Sequence, residues 1–502
     1  MSDAAAYIKK DKRITDNQVD TLAGYLYWLS ILGSFIAGGI SDRIGRHSTI
    51  MWTGGFFSIG TLLMGLAYNN ALITVGRIVN QVSIGSALAI APVYIAEISP
   101  DSSRGSLTSL PEVAINFGTL FGYLCNYFIS KLKSRRHFLV GLGAISPFLV
   151  TIGVFTMPES PRWLVMQGRS GDANDILERT YNSQHEASRR LAEIEEAVGN
   201  MQRTGRGVWR ELWLHRSPFV WHMIICVLGI NIIQQALGID IILLYSNRIF
   251  EKAGVTSSNE KLFWTIIVHI VKATFFLIAT GYLDKVGRKK LLLGSISATT
   301  VMLAALGICL NIISDANNII GDANKSHEEH NWAVAYCIPL LLLYVASVSS
   351  GVGPIASVYS AEIFPLRLRA QGYAVGIIAN QVTGLALSTI FLKDYHATTA
   401  VFSFMVCGFF AFAFVYFIMP ETEGRALEDI WKLFVEYFVR RSTAGERERQ
   451  RDIGAVEAAA MELQRNVEAM EAGTRSTAGD IELQRNTEAA EAAARVDTEA
   501  SP

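Results

Sequence analysis

Gln234 and Gln235 stand side by side in an otherwise apolar run, and Asp240 follows about one and a half helical turns later. Lys272 lies in the middle of a second apolar run with His269 one turn before it, and Glu112 opens a third. Polar groups at such positions are costly in hydrocarbon, so their default reading is functional. Amides donate and accept, a carboxylate accepts and an ammonium donates, a set that matches a ligand bearing several hydroxyls. A buried Glu112 and Lys272 favour pairing with each other. His269 reads equally well as a member of the site or as a packed bystander. No constellation for enzyme catalysis or metal binding appears, and no G-x-x-x-x-G-K-[ST] that would drive an ATP-powered pump. Gly141-x-Gly143 falls in an apolar helix and reads as packing. The expectation is a non-enzyme without cofactor or metal. The five cysteines (Cys125, Cys226, Cys309, Cys337, Cys407) each fall in an apolar run, which favours buried free thiols over a disulfide framework.

A second set of charged residues is arranged as a repeat. Asp42-x-x-Gly45-Arg46 recurs as Asp284-x-x-Gly287-Arg288. Glu97-x-x-Pro100-x-x-x-Arg104 recurs as Glu362-x-x-Pro365-x-x-x-Arg369, and Pro158-Glu159 with Arg162 as Pro420-Glu421 with Arg425. Gly permits a tight turn between two helices, and Arg anchors at lipid headgroups. Glu at one helix end and Arg one loop later can pair within and between halves, forming a gate that is closed in one state. Topology signalling accounts for a single basic loop; it does not account for three motifs in matched order.

These residues must be carried by membrane helices. Of 502 residues, 50% are hydrophobic and only 18% charged, with a formal net charge of −1; a soluble protein carries roughly a quarter charged residues. Near-zero net charge excludes a globally basic nucleic-acid binder. Eleven apolar stretches of about 20 residues, the length of a bilayer span, lie near 21–40, 49–68, 73–96, 111–130, 138–157, 219–247, 262–283, 290–313, 332–360, 372–392 and 399–419. No signal peptide precedes them. The organisation expected is an N-terminal helical half (1–157), a linker with short amphipathic helices (158–218), a six-helix C-terminal half (219–439) and a low-complexity tail (440–502) in which LQRN and RSTAG each occur twice. The tail reads as solvated and partly helical, with a partner-binding coiled coil as the lesser alternative. The basic loops at 41–47 and 283–290, the linker and the loop at 361–372 share one face, which the positive-inside rule makes cytosolic. The acidic loop 311–330 carries the sequon Asn324-Lys325-Ser326 on the other face. Only the loop with Lys131, Lys133, Arg135 and Arg136 disagrees. Two helices fit before Asp284 but only one before Asp42, so the first half is expected to lack its first spanning helix.

The stretches PESPRWLVMQGR (158–169), APVYIAEISPDSSRG (91–105), QQALGID (234–240), YSAEIFPLRLRAQG (359–372) and PETEGRALED (420–429) make the chain resemble the sugar porter family of the major facilitator superfamily, and more closely its plant polyol/monosaccharide branch. That resemblance implies an all-α fold of two pseudo-symmetric six-helix halves, alternating access around a midplane site, and proton-coupled uptake of hexoses or linear polyols. It implies sugar contacts for Gln234, Gln235 and Asp240, the last replacing a commoner Asn. It places Glu112 where relatives carry a Gln and Lys272 where they carry an Asn, and it adds Asn380 as a site residue, with Tyr245 and Tyr359 as cavity-lining aromatics. A family Trp falls at Ser357, which removes a stacking surface. Arg77 matches an Arg that couples protons by pairing with an Asp in the first helix; that Asp is absent, so Arg77 has no evident partner, and Asn80 and Gln81 stand beside it where relatives have small residues.

The reading is therefore a transporter of polyols or monosaccharides, proton-coupled, in the plasma membrane. Its partners are the solute, protons and the bilayer, with neither nucleic acid nor a protein partner required. The alternative is a truncated, non-transporting relic or a sugar-sensing receptor.

Overall fold

The computed structural model describes residues 16–67, 69–100, 102–129, 147–181, 183–199, 218–255, 257–319, 331–366, 368–394 and 397–424, with Ile430 and Phe434. Everything regular among them is helical. The first half consists of α1 (Asp16–Ile44), α2 (Arg46–Gly65), α3 (Asn70–Ile98), α4 (Arg104–Ile129) and α5 (147–155). Three short helices follow: α6 (Pro161–Met166), α7 (Ser170–Thr180) and α8 (Gln184–Gly199). The second half is α9 (Pro218–Ala236), α10 (Ile239–Lys252), α11 (Ser258–Val286), α12 (Arg288–Ile319), α13 (Asn331–Ser349), α14 (Val352–Glu362), α15 (Arg369–Asp394) and α16 (Ala397–Ile418). The low-complexity tail, the loop with the sequon, the basic loop at 131–136 and Arg425 lie outside the described residues.

Among the described residues, seven stretches are long and apolar enough to cross a membrane: Ala71–Ile98, Val220–Asn247, Asn259–Val286, Arg288–Ile313, Val334–Glu362, Arg369–Phe391 and Thr398–Ile418. That is fewer than the eleven expected. The expected spans near 21–40, 49–68 and 111–130 do form helices, α1, α2 and α4. Gly, Ser, Thr and charged residues dilute their hydropathy, and 138–157 is described only from 147 onward. Large apolar side chains such as Trp52, Phe56, Phe121, Phe128, Phe410 and Phe417 point outward. A soluble monomer does not expose that much contiguous apolar surface, whereas lipid solvates it.

Backbone chemistry explains the turns. Gly45 and Gly287 have φ of 99° and 92°, a region costly for any residue with a Cβ. A Cβ on Gly45 would collide with the Glu159 carboxylate, and one on Gly287 with those of Glu423 and Glu421. These two turns join α1 to α2 and α11 to α12. They confirm the repeat in three dimensions: α11, α12, the α13–α14 pair and α15 repeat α1, α2, α3 and α4. Within 158–199, Pro161 starts α6 behind the Ser160 cap. Trp163, Leu164, Val165, Ala173, Leu177, Ala187 and Ile194 close a small core of their own.

The halves meet along α4 with α11 and α1 with α15, and α14 and α15 also pack on α3. Near the ends carrying the D-x-x-G-R turns the interface is dry. Val93, Ala96, Ala361, Tyr373 and Ile377 form one cluster, and Ala37, Ala89, Ile90 and Ala374 another. The protein is thus closed at that end.

Candidate functional site

Two second-half helices break where small residues are placed. α9 ends at Ala236 and α10 restarts at Ile239 because Gly238 takes a left-handed conformation, φ 79°, tight against the Phe404 ring. α13 gives way to α14 at Ser350 and Gly351, where a Gly351 Cβ would strike Ser295 and the Leu291 carbonyl. A broken helix frees backbone polar groups and points side chains into the protein instead of along a continuous cylinder.

The first break assembles the amide cluster. Gln235 Nε2 donates to Asp240 Oδ2 (3.2 Å) and to Asn380 Oδ1 (3.0 Å). Asn380 Nδ2 donates to Gln234 Oε1 (2.8 Å) and, more weakly, to the Asn231 carbonyl (3.4 Å). Gln234 Nε2 reaches the Gly353 carbonyl at the start of α14 (3.3 Å). Four of the expected residues therefore converge from α9, α10 and α15. Asn231, which the sequence reading omitted, buttresses them by donating to Val227 O and Ser360 Oγ, both at 2.9 Å.

Glu112 and Lys272 are both half-buried, on α4 and α11 respectively. Lys272 is the principal positive charge acting on Glu112, and Asp240 a negative one, so the three ionisable groups share one electrostatic environment across the halves. His269 is buried and hydrogen-bonded through Nδ1 to the Thr265 carbonyl (2.8 Å). Its ring lies 4.5 Å from that of Tyr123 on α4. It packs in the same wall, below Lys272.

Other expected members sit elsewhere. Tyr359 is buried with its hydroxyl on the Pro420 carbonyl (3.4 Å), at the D-x-x-G-R end and away from the amides. Tyr245 is buried, and its hydroxyl donates to the Phe391 carbonyl. Both lock helices together and do not line a cavity. Ser357 is buried with its hydroxyl on Pro354 O, so no aromatic surface stands there. Arg77 is half-buried and engaged with neighbouring groups, which corrects the expectation of an Arg without a partner. Asn80 beside it donates to Thr61 Oγ1 (3.1 Å). All five thiols are free, Cys226, Cys309 and Cys337 buried, Cys125 and Cys407 half-buried.

At the D-x-x-G-R end the charged residues build two matching clusters. In the first half, Arg46 pairs with Glu97 (3.2 Å) and Asp42 (2.9 Å), with the Arg46 and Glu97 side chains fully buried. Ser160 Oγ donates to Glu97 (2.6 Å), and Arg162 donates to the Glu97 carbonyl (2.6 Å). Glu159 caps α2, accepting from the backbone of Arg46 and His47, both at 3.0 Å. The second half repeats this in detail. Arg288 pairs with Glu362 (3.0 Å) and Asp284 (3.1 Å). Thr422 Oγ1 donates to Glu362 (3.3 Å), and Glu421 caps α12 through the backbone of Arg288 and Lys289, both at 3.0 Å. Arg369 is buried and donates to Phe364 O (3.2 Å), and Arg104 is buried at the start of α4.

Several contacts cross between the halves, among them a bond from Ser109 Oγ on α4 to Thr280 Oγ1 on α11 (3.0 Å). Asp284 accepts from the backbone N–H of Gly105 (3.0 Å) and of Ser106 (2.8 Å), capping α4 of the opposite half. Gln371, in the first turn of α15, donates to Asp42. Asp284 thus caps α4 of the other repeat, where unsatisfied N–H groups and the helix dipole favour an anion, and Asp42 meets the first turn of α15 through a side-chain amide. Burial pushes the Asp42 carboxyl above its ordinary value, with Arg46 and Gln371 pulling the other way. Burial also disfavours the charge on Arg46, but Glu97 and Asp42 outweigh it and the guanidinium is held more strongly protonated than usual.

Residues 6–434 match the family model described as "Sugar (and other) transporter". Polyol transporter 5 of Arabidopsis thaliana is 44% identical over 452 residues, covering 86% of this chain and 82% of that protein. The putative polyol transporter 1 of the same plant is 42% identical over 455 residues, 87% of each chain. The glucose transporter GlcP of Staphylococcus epidermidis is 29% identical over 451 residues, 89% of this chain and 94% of its own. Among solved structures, the proton:xylose symporter XylE bound to 6-bromo-6-deoxy-D-glucose has a TM-score of 0.72 at 24% identity, covering 86% of this chain and 94% of that one. Inward-open XylE from E. coli has a TM-score of 0.59 at 23% identity, covering 86% and 94%.

Proposed function

We propose, since this chain belongs to the family of sugar and related transporters in the major facilitator superfamily, that it carries linear polyols and monosaccharides across the plasma membrane by alternating access, in symport with protons. The observation that carries the reading is the amide and carboxylate cluster of Gln234, Gln235, Asp240 and Asn380 at a break in a membrane helix. Its members bond to one another. A polyol offers the same donors and acceptors and would take over these bonds one for one. Glu112 on α4 and Lys272 on α11 share the electrostatic environment of Asp240 and would add an acceptor and a donor for the solute's hydroxyls.

The ion-pair clusters act as the gate. We read their end as cytosolic, from the basic loops and the linker helices that join it. Contacts across the halves there hold the site shut from the cytosol, and rocking of the halves about the central site would break them and open it. Proton coupling would run through the ionisable groups of the interface, Glu112 with Lys272, together with Arg77 in the first half. The relatives named for polyols support the solute class, and the structural neighbour named a proton:xylose symporter supports the coupling.

The test is uptake of radiolabelled sorbitol and of hexoses by proteoliposomes containing the purified chain, with and without an inward proton gradient. Saturable uptake that rises when the interior is alkaline is expected, with Gln235→Ala and Asn380→Ala raising KM at least tenfold. Absence of saturable uptake by correctly inserted protein would overturn the transport reading.

A further inference from the structure

Tyr27 belongs to α1, in the half opposite the amide cluster, yet it reaches the cluster. A methyl group built on Gly384 of α15 would lie 3.5 Å from Tyr27 Cε1 and 3.6 Å from both the carbonyl carbon and the oxygen of the Gln235 amide. The ring and the amide therefore meet over the same glycine, one turn beyond Asn380 on α15. The phenol also lies within electrostatic reach of Asp240, the carboxylate to which Gln235 is bonded. Tyr27 remains half-buried, so part of it faces open space and not packed protein. Further along α1 towards the gate, Ser34 and Ala37 are instead buried against α3 and α15.

We propose that Tyr27 is a substrate-contacting residue that determines specificity, the aromatic wall that the first half adds to the polyol and sugar site. This rests on the transport reading above. Three properties of the position support it. The ring occupies the side of the cluster away from the gate, where it covers a solute held by Gln234, Gln235 and Asn380. Its face offers apolar surface to the C–H groups of a polyol or a sugar ring, the service that Ser357 does not provide. Its phenol lies within electrostatic reach of Asp240, so a solute hydroxyl bridging the two would donate to the carboxylate and accept from the phenol. A Cβ on Gly384 would already touch ring and amide, so the branches of a larger side chain there would enter the space that ring and amide share.

The contact also joins the two halves at the level of the solute. A bound solute would be gripped by α9, α10 and α15 from one half and by Tyr27 from the other, so that its occupancy is felt by both. A side chain that merely packed would affect folding and turnover for every solute alike. A contacting one changes KM, and changes it differently for different solutes.

The experiment measures equilibrium binding and uptake of sorbitol and of glucose by the full-length wild type and the Tyr27→Phe, Tyr27→Leu and Gly384→Val variants, each first shown to be monodisperse and inserted. Tyr27→Phe is expected to weaken binding about twofold to twelvefold, the range for one neutral hydrogen bond. Tyr27→Leu should weaken it further and alter the sorbitol-to-glucose ratio of KM by at least about threefold. Gly384→Val should do the same by displacing the ring. Unchanged KM in Tyr27→Phe and Tyr27→Leu, with wild type binding normally, overturns this inference alone. A fall in kcat equal for both solutes with KM unmoved also overturns it, since that is the signature of packing. Failure of the wild type itself to bind any polyol or hexose overturns both this inference and the transport reading.

Discussion

The crossed helix caps make a quantitative claim about the gate. Asp284 holds the start of α4 through two backbone N–H bonds across the halves, and it pairs with Arg288 within its own half. When the halves part at this end, the two N–H bonds break, while the pair with Arg288 can persist. Asp284→Asn removes the charge from both states but weakens only the closed one. A hydrogen bond to a charged group contributes about 1.5–3 kcal/mol against about 1 for a neutral one. The helix dipole adds about 0.3–1 kcal/mol. Asn retains one neutral acceptor, so the closed state should lose about 2 kcal/mol, a shift of roughly 30-fold in the open population. Ala361 is fully buried in the dry cluster between the halves and reports on this opening. A cysteine placed there in both backgrounds, alkylated by a maleimide and quantified by mass on its own peptide, should label roughly 30 times faster with Asp284→Asn. Glu421→Gln is the control, because Glu421 caps α12 inside its own half. It should lower stability while changing labelling less than about threefold. Equal acceleration by the two variants, or none by Asp284→Asn, would refute the idea that the crossed caps hold the gate.

Arg46→Met should lower thermal stability strongly, by about 3–5 kcal/mol, because it strands buried Glu97. Arg46→Met with Glu97→Gln should recover much of that loss; strictly additive losses in thermal unfolding would disprove the coupling. Burial raises the Asp42 carboxyl in the closed gate. The closed state therefore binds this proton more tightly than an open, solvated one. Its contribution is fully present below the ordinary carboxylate range and is lost as pH rises through the elevated value. Labelling of the Ala361 cysteine should thus slow as pH falls through that window, and Asp42→Asn should flatten the dependence. Gly45→Ala should cost several kcal/mol, since it combines a φ of 99° with a collision at Glu159. An unshifted melting temperature for that variant would contradict the turn assignment.

Much of the architecture is legible without coordinates because it is local. Apolar length sets a membrane span, and a repeated D-x-x-G-R marks a repeated turn, so the all-helical fold and its two halves follow from residues close together in the chain. That Gln234, Gln235 and Asp240 belong together was also readable, since they lie within one short motif; that Gln235 bonds to Asp240 was not. Arg46, Glu97, Asp284 and Glu362 were recognisable as members of a repeated charged set from their matched order. Which partner each would take was not: Ser160 and Thr422 carry no distinctive signal, yet each donates to a buried carboxylate.

The tertiary structure decided whatever depends on one helix facing another. It moved Tyr245 and Tyr359 out of the cavity and into helix-locking bonds, and it gave Arg77 company. It drew Asn231 beneath the amide cluster and Tyr27 over it. It also carried Asp284 to α4 and brought Gln371 to Asp42, across more than 170 residues of chain in each case. Hydropathy and spacing fix what a helix is and roughly where it ends. They do not fix its rotation about its own axis or its neighbour, because those are set by side-chain packing summed over the whole interface.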